Sequence, residues 1–409
     1  MNAAEQFVYD LCHKSFLSLW SYMNPRKKLN GKELCDVIVV CDPDVIIFSV
    51  KHITMPKNGT PEVNMSRWRR RAIEESVAQL YGAERILKTL TMVIKSDSSP
   101  GIDLAAPEAR RIHRIAVALG SEGSVGLPYG DFGKGFVHVL DEFSTEILLS
   151  ELDTVTDFVK YLQTKQQFVE STHMVCEREE DLLAAYLNGG KKFSSEADVS
   201  LVLPGSWQQF QEKPEYQSKK AANQESYAWD QIIEILCHDT LHDRLEFSPG
   251  LSGVERSIRT MAREDRFSRR VLGKAFREFL DQSHEIRARM TTSPSGVVYV
   301  FLATPHGYPR ETRTAELSNR CLVARGLSPN AQVVVGLATE QYTPGKGFSL
   351  DLVHMYKPEW TGKDREIIKG MQHDFGYFVK PRLTQTSEDE YPAQTLETKS
   401  STPTEPKSP

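Results

Sequence analysis

The sequence predicts a mixed α/β protein, and three observations support this class. Two β-branched runs, Val37 to Val40 and Val45 to Phe48, flank a turn at Asp42, Pro43 and Asp44, which is the pattern of a β-hairpin. Amphipathic helical patterns lie on both sides of this hairpin. Strand-like and helix-like runs recur toward the other end of the chain. With 409 residues, 40% hydrophobic and 26% charged, the composition indicates a globular protein of more than one domain.

The predicted hairpin brings three polar side chains to one edge. If the turn centres on Asp42 and Pro43, Asp36 lies opposite Ser49, and Lys51 follows two residues later on the same face. An acid, a hydroxyl and a lysine then converge at the open end of the hairpin. This layout is the one expected of a metal-dependent phosphodiesterase site.

Two predicted helices flank the hairpin. The first has apolar residues at helical spacing and carries Glu5. The second runs from Ser66 to Leu87, with Ser66 as its candidate N-cap, and carries Gln79 and Tyr81. A helix with an acid is therefore predicted before the hairpin, and a second helix after it.

These residues resemble the PD-(D/E)xK superfamily of nucleases, including the nuclease-related NERD domains. In that family an Asp begins one strand and a (D/E)xK triplet ends the next, which Asp36 and Ser49 to Lys51 would match. Glu5 would match the acid on the family's preceding helix, while Gln79 and Tyr81 are loosely similar to the Gln/Tyr motif of the RecB-like branch. The resemblance implies a restriction-endonuclease-like domain and a nuclease dependent on Mg²⁺ or Mn²⁺.

Ser49 departs from the family pattern, because a hydroxyl replaces the second metal-binding carboxylate. The following helix offers substitutes, as in family members with Ser-x-Lys, and the expected metal ligands are Asp36, Glu75 and Glu5. Two further carboxylates remain candidates for the same position, namely Glu74 and Glu62. One alternative is a nuclease fold that has lost its metal and serves interaction or regulation. Another is an ordinary cross-strand ion pair between Asp36 and Lys51.

Positive charge is concentrated at the start of the chain. The net charge is -5, yet residues 1 to 120 hold 17 Lys and Arg against 13 Asp and Glu. The expected nucleic-acid contacts are Arg67, Arg69 and Arg70, which surround Trp68 together with Arg71, and beyond them Gln79 and Tyr81. A second basic group is formed by Arg110, Arg111 and Arg114. The alternative for both groups is a solvated helix face.

The six cysteines form no CxxC pair, and the chain has no signal-peptide pattern and no apolar run of membrane-spanning length. We therefore expect a cytoplasmic protein with reduced thiols. Its partner is expected to be nucleic acid, DNA first, without a membrane, and a homodimer is left open. A role in prokaryotic defence or repair is an analogy with the family.

Three regions are expected along the chain: a nuclease-like domain over 1–200, a helical and then α/β domain over 225–382, and a disordered tail over 383–409. The region 213–225 is expected to be loop. The arginines between 256 and 277 alternate with acids, which indicates solvated ion pairs. His238 and His242 have the spacing of a zinc pair but lack a third ligand. The last domain is expected to hold strands at 297–303, 333–339 and 349–356 and a helix over 311–325.

Overall fold

A computed structural model describes residues 2–123, 126–193, 199–245, 250–280, 286–341, 349–379 and 388–392. The mixed α/β class is confirmed. The helices are α1 (Ala3–Phe16), α2 (Pro61–Arg69), α3 (Glu75–Leu87), α4 (Glu142–Glu151), α5 (Val155–Ser171), α6 (Glu179–Asn188), α7 (Ser206–Gln211), α8 (Pro214–Ala222), α9 (Tyr227–Leu241), α10 (Leu251–Ala262), α11 (Arg266–Leu280), α12 (Arg310–Leu327) and α13 (Gly362–Phe375).

The strands form two main sheets and two small ones. They are β1 (Ser21–Met23), β2 (Val37–Cys41), β3 (Asp44–His52), β4 (Met92–Ile94), β5 (Pro100–Asp103), β6 (Arg111–Leu119), β7 (Gly130–Asp131), β8 (Phe136–Leu140), β9 (His173–Val175), β10 (Val199–Leu201), β11 (Arg287–Thr292), β12 (Val298–Thr304), β13 (Val333–Glu340) and β14 (Leu350–Tyr356). β4 pairs with β5, and β9 pairs with β10.

The first main sheet has the order β1-β2-β3-β6-β8-β7. Its first three strands are antiparallel, whereas β3, β6 and β8 run parallel. Every residue of β2 and β8 is buried, so both faces of the sheet are covered. α1 packs on β2 and β3 together with α4, and α3 packs on β3 and β6. The hairpin β2–β3 is thus the centre of this half.

The helix after the hairpin begins earlier than the sequence predicted. Thr60, not Ser66, is its N-cap, and the Thr60 side chain accepts a hydrogen bond from the backbone N–H of Val63. Pro61 occupies the first turn, where its missing N–H costs nothing. A π-helical stretch over Arg70–Glu74 joins α2 to α3 without a break. The N-cap Thr60 and the proline that follows it explain why the helix begins at Pro61.

The second main sheet has the order β11-β12-β13-β14, with only β12 and β13 parallel. Its three expected strands and the helix α12 lie within one or two residues of the predicted bounds. α12 packs on β12, β13 and β14, and α13 packs on α12. The region expected as loop over 213–225 is instead mostly the helix α8.

A middle layer of helices, α9 to α11, joins the two sheets. Trp229 of α9 meets Tyr299 of β12 edge to face at 5.3 Å, and Phe276 of α11 meets Phe301 at 5.0 Å. One continuous set of buried side chains runs from α1 through this layer to β13. The core therefore shows no gap between the two predicted domains.

The arginines of α11 were expected to be solvated, and this was wrong. Arg266, Arg269 and Arg270 are only 5%, 1% and 1% exposed. Arg266 and Arg269 both pair with Asp230, each at 2.7 Å. Alternating charges along a helix look the same in sequence whether their partners lie on that helix or on a neighbour, so only the packing reveals the difference.

The tail was expected to be disordered throughout, and this was wrong for residues 388–392, which lie against α8 and α11. The rest of the tail falls outside the described residues.

The rings of His238 and His242 lie against each other, tilted by 32°, with centroids 4.1 Å apart. Among the helices that the structure describes, none is both long and apolar enough to cross a bilayer.

Candidate active site

The hairpin has the register that the sequence predicted. Val37 lies opposite Phe48 and Cys41 opposite Asp44, which puts Asp36 next to Ser49 at the open end. Asp36 and Ser49 are almost fully buried, and Lys51, two residues further along β3, is partly exposed. The three predicted side chains therefore share one edge of the sheet.

Backbone contacts hold Asp36 at this edge. Its carboxylate Oδ2 accepts a hydrogen bond from the N–H of Val50. Its own N–H donates to the carbonyl of Phe48 at 3.2 Å, and its carbonyl accepts from Asn24 N at 2.9 Å. The backbone of Asp36 is thus held on both sides, and its carboxylate is held by β3.

A residue that sequence reasoning missed, Glu33, joins Asp36. The loop between β1 and β2 folds back on itself, with Leu34 N donating to the carbonyl of Pro25 at 2.6 Å and Glu33 bridged to Arg26. This places the carboxyl group of Glu33 beside that of Asp36. In a regular strand, residues three apart face opposite ways. β2 begins only at Val37, so that rule does not apply here, and the one available signal was an acid close before Asp36.

The Glu33 carboxyl group holds its proton more tightly than an ordinary glutamate does. Partial burial of the Glu33 carboxyl, its hydrogen bond with Asp36 and the charges of Asp36 and Glu5 raise the pKa of Glu33 to about 7. The nearby positive charge of Lys51 acts in the opposite direction. The site thus combines three acids, from α1, the β1–β2 loop and the start of β2, with one lysine.

Ser49 makes its contact with the helix that packs over the hairpin. Its hydroxyl donates to Gln79 Oε1 of α3 at 2.8 Å. Glu75 precedes Gln79 by one helical turn and so lies on the same face of α3. It is exposed. The structure therefore brings Gln79 into the site and leaves Glu75 at its rim.

Three other predicted residues lie elsewhere. Tyr81 is on the opposite face of α3, where its hydroxyl donates to the carbonyl of Gly135 at 2.7 Å. Glu74 and Tyr81 both line a groove on that side of the helix. Glu62 stands in the first turn of α2, where hydrogen bonds to its own backbone and to Thr60 lower its pKa. Its role there is at the helix start.

The first arginine cluster is mostly open. Arg67, Arg70 and Arg71 are exposed. Trp68 between them is fully buried and donates its indole N–H to the carbonyl of Ile53 at 2.6 Å. Arg69 is half-buried and donates to the carbonyl of Gly126 at 3.0 Å. The cluster therefore presents exposed guanidinium groups on a helix anchored by the tryptophan.

The arginines of the second group, Arg110, Arg111 and Arg114, all bind partners within the protein. Neither a phosphate contact nor a solvated helix face therefore fully describes this group. Arg110 donates to backbone carbonyls, including that of Leu90 at 2.6 Å. Arg111 pairs with Asp44 at 2.7 Å, and Arg114 with Glu84 at 3.1 Å.

The donor set suits a hard divalent cation. Carboxylate oxygens are the ligands that Mg²⁺ and Mn²⁺ prefer, and an ion could replace the proton that Glu33 holds. Within the residues that the structure describes, no three His, Cys, Asp or Glu side chains already stand close enough to form a metal site. Glu5 would have to approach the pair for a third ligand.

The chain was compared with protein-family models, curated proteins and solved structures, and none of the three comparisons gave a match.

Proposed function

We propose that the protein is a nuclease that hydrolyses phosphodiester bonds of DNA with the help of Mg²⁺ or Mn²⁺. The observation that carries this proposal is the pair of carboxyl groups of Glu33 and Asp36, held beside Lys51 at the open end of the β2–β3 hairpin. Paired acids next to a lysine are the groups that such hydrolysis needs.

Each side chain has a defined task in this proposal. Glu33 and Asp36 hold the ion with help from Glu5, and the bound ion supplies a polarised phosphate and a more acidic water. Lys51 stabilises negative charge that develops on the phosphate oxygens, since it is partly exposed on the same edge. Gln79 fixes the hydroxyl of Ser49, which keeps α3 in place over the site.

The order of elements supports the resemblance to PD-(D/E)xK nucleases. A helix with an acid, α1, precedes the hairpin, and the helix α2–α3 follows it and packs on β3. Asp36 stands just before one strand, and Ser49 and Lys51 lie near the end of the next. Glu33 offers the carboxylate that Ser49 lacks.

The test is cleavage of duplex and single-stranded DNA by the purified protein in Mg²⁺ or Mn²⁺. Asp36→Asn and Lys51→Ala are each expected to reduce the rate about 100-fold or more, because they remove metal binding or charge stabilisation. Lys57→Ala is the matched control, since Lys57 is an exposed lysine on the loop after β3. Wild-type rates in both site variants would refute the assignment.

A second candidate is an interaction protein that keeps the nuclease fold without catalysis. The hydrogen bond between Ser49 and Gln79 favours this second candidate. Ser49 stands where the nuclease family places its second metal ligand, and here its hydroxyl holds the helix α3 instead. Inactivity of the wild type on DNA and RNA with both metals, together with no calorimetric Mn²⁺ binding, would select this candidate.

A further inference from the structure

Residues 388–392 of the tail form a short acidic segment, which lies in a basic pocket. The pocket is formed by Lys191 after α6, Lys219 of α8, and Arg270 and Lys274 of α11, and is called the tail pocket below. Four of its contacts are to the tail segment through side chains, and two are to tail carbonyls.

Glu390 is the centre of the contact. Its Oε1 lies 2.9 Å from Lys191 Nζ and 3.7 Å from Lys219 Nζ. Glu388 pairs with Lys274. Arg270 donates to the carbonyls of residues 389 and 390, the latter at 3.3 Å. The pocket therefore binds the segment through two acidic side chains and two backbone carbonyls.

The pocket needs this negative charge. Lys191, Lys219 and Arg270 are 9%, 7% and 1% exposed. A buried cation without a counter-charge strongly destabilises a fold. Asp157, which lies 2.9 Å from Lys191, and Glu151, whose charge acts on Lys219, offset part of this charge. The pocket still holds an excess of positive charge when the tail is removed. An empty pocket would therefore attract an acidic ligand.

The aromatic residue adds a second feature. The ring of Tyr391 lies 5.0 Å from Lys219 Nζ in cation–π contact and packs against the main core. Its hydroxyl is enclosed and has no hydrogen-bond partner among the described residues. The pocket thus recognises the ring and gains nothing from the hydroxyl.

We propose that the tail pocket is a binding site for acidic peptides of the form Glu-x-Glu-aromatic, which the chain fills with its own residues 388–391. The docked segment is short, and its affinity depends on tethering, because an attached segment acts at a high effective concentration. A partner protein that carries the same acidic pattern would compete with the tail for the pocket.

The test uses the full chain with Glu388→Gln and Glu390→Gln, which weakens the tail without removing it. A fluorescent peptide with the sequence of residues 386–394, TSEDEYPAQ, is titrated and followed by anisotropy. We expect at least tenfold tighter binding to this variant than to the wild type. Should the double variant not fold, Glu390→Gln alone, which keeps the pair between Glu388 and Lys274, replaces it.

Specificity is tested on the same background. Adding Lys219→Gln should weaken peptide binding at least tenfold, whereas adding Lys213→Gln should leave it unchanged, because Lys213 is exposed and donates a hydrogen bond to Asn188. A peptide with Phe in place of Tyr should bind within about threefold of the original, and one with both Glu replaced by Gln should not bind. Absence of saturable binding, or equal weakening by the two lysine variants, would overturn the proposal.

Discussion

In the proposed nuclease, Glu33 and Asp36 are the residues that would bind the divalent ion. Their carboxyl groups are in contact, and the pKa of Glu33 is raised to about 7 by partial burial and by Asp36. A proton on Glu33 therefore competes with any cation that binds this carboxyl group near neutral pH.

We expect Glu33→Gln to lower Mg²⁺-dependent DNA cleavage about 100-fold, because it removes one oxygen ligand of the ion. Glu75→Gln is the matched variant, and we expect it to retain the wild-type rate within about threefold. Initial rates over a range of Mg²⁺ concentrations measure both. The opposite ranking would assign the ligand role to Glu75, as the sequence first suggested.

Asp44, at the closed end of the hairpin, is the other decisive acid. It is fully buried and accepts hydrogen bonds from Arg111, His113 and Arg263. Burial alone would raise its pKa, but these three donors outweigh burial and hold the pKa of Asp44 well below its usual 3.8. The hairpin is thereby attached to β6 and to the turn after α10.

We expect Asp44→Asn to reduce the free energy of unfolding at pH 7 by about 3 kcal/mol, because it removes the buried charge that pairs with Arg111, His113 and Arg263. Since the folded-state pKa is lowered, this stabilisation is fully present above pH 3.8 and is lost as the pH falls below that value. Urea unfolding of both proteins between pH 3 and pH 7 provides the measurement, with pH spacing of about one unit. A difference that stays constant down to pH 3 would contradict the charge-based explanation.

At the scale of elements, the helix α2–α3 connects the exposed arginines to the edge of the hairpin that carries Asp36, Ser49 and Lys51. Its π-helical stretch over Arg70–Glu74 packs on β3 and β6. Such a stretch holds one more residue per turn than an α-helix and changes which side chains face the sheet beyond it. Gln79 faces Ser49 under this arrangement, while Arg70 stays exposed at the start of the stretch.

We expect Arg69→Gln with Arg70→Gln to weaken DNA binding and to reduce the slope of log affinity against log salt by about two units, because each lost phosphate contact removes about 0.9. Thermal stability should change little. The matched control is Arg365→Gln with Lys369→Gln, which removes the same charge from the exposed face of α13. An unaltered slope in the first variant would show that its arginines do not touch phosphate.

At the scale of the whole molecule, the middle helices join the two sheets through one continuous set of buried side chains. Phe301 of β12 packs against Trp229, Phe276 and Phe279 of the middle layer. The same layer reaches the first half through Trp20, whose indole N–H donates to Glu255 at 2.8 Å. Because the buried contacts are continuous, loss of packing around one sheet should also lower the stability of the other sheet.

We expect Phe301→Ala to destabilise the protein by about 3–5 kcal/mol and to lower the denaturant midpoints of both sheets equally. Hydrogen exchange of peptides from β2–β3 and from β12–β13 reports the two sheets separately. Phe143→Ala is the control, because Phe143 is 46% exposed and should cost about 0.5 kcal/mol or less. A shift confined to β12–β13 would instead indicate two independent domains.

The sequence by itself determined the hairpin and its register. Strand periodicity and the turn at Asp42 and Pro43 are local properties, and they were sufficient to place Asp36 beside Ser49 with Lys51 on the same face. The strands and the helix of the last domain were equally local and were found within one or two residues.

Only the tertiary structure decided which distant groups meet. Glu33 reaches Asp36 through an irregular loop, so no periodicity could reveal the contact. The arginines of α11 and the segment around Glu390 looked solvated or disordered because their partners lie on other elements. Burial and charge pairing depend on neighbours in space, and those neighbours were fixed only when the middle helices packed between the two sheets.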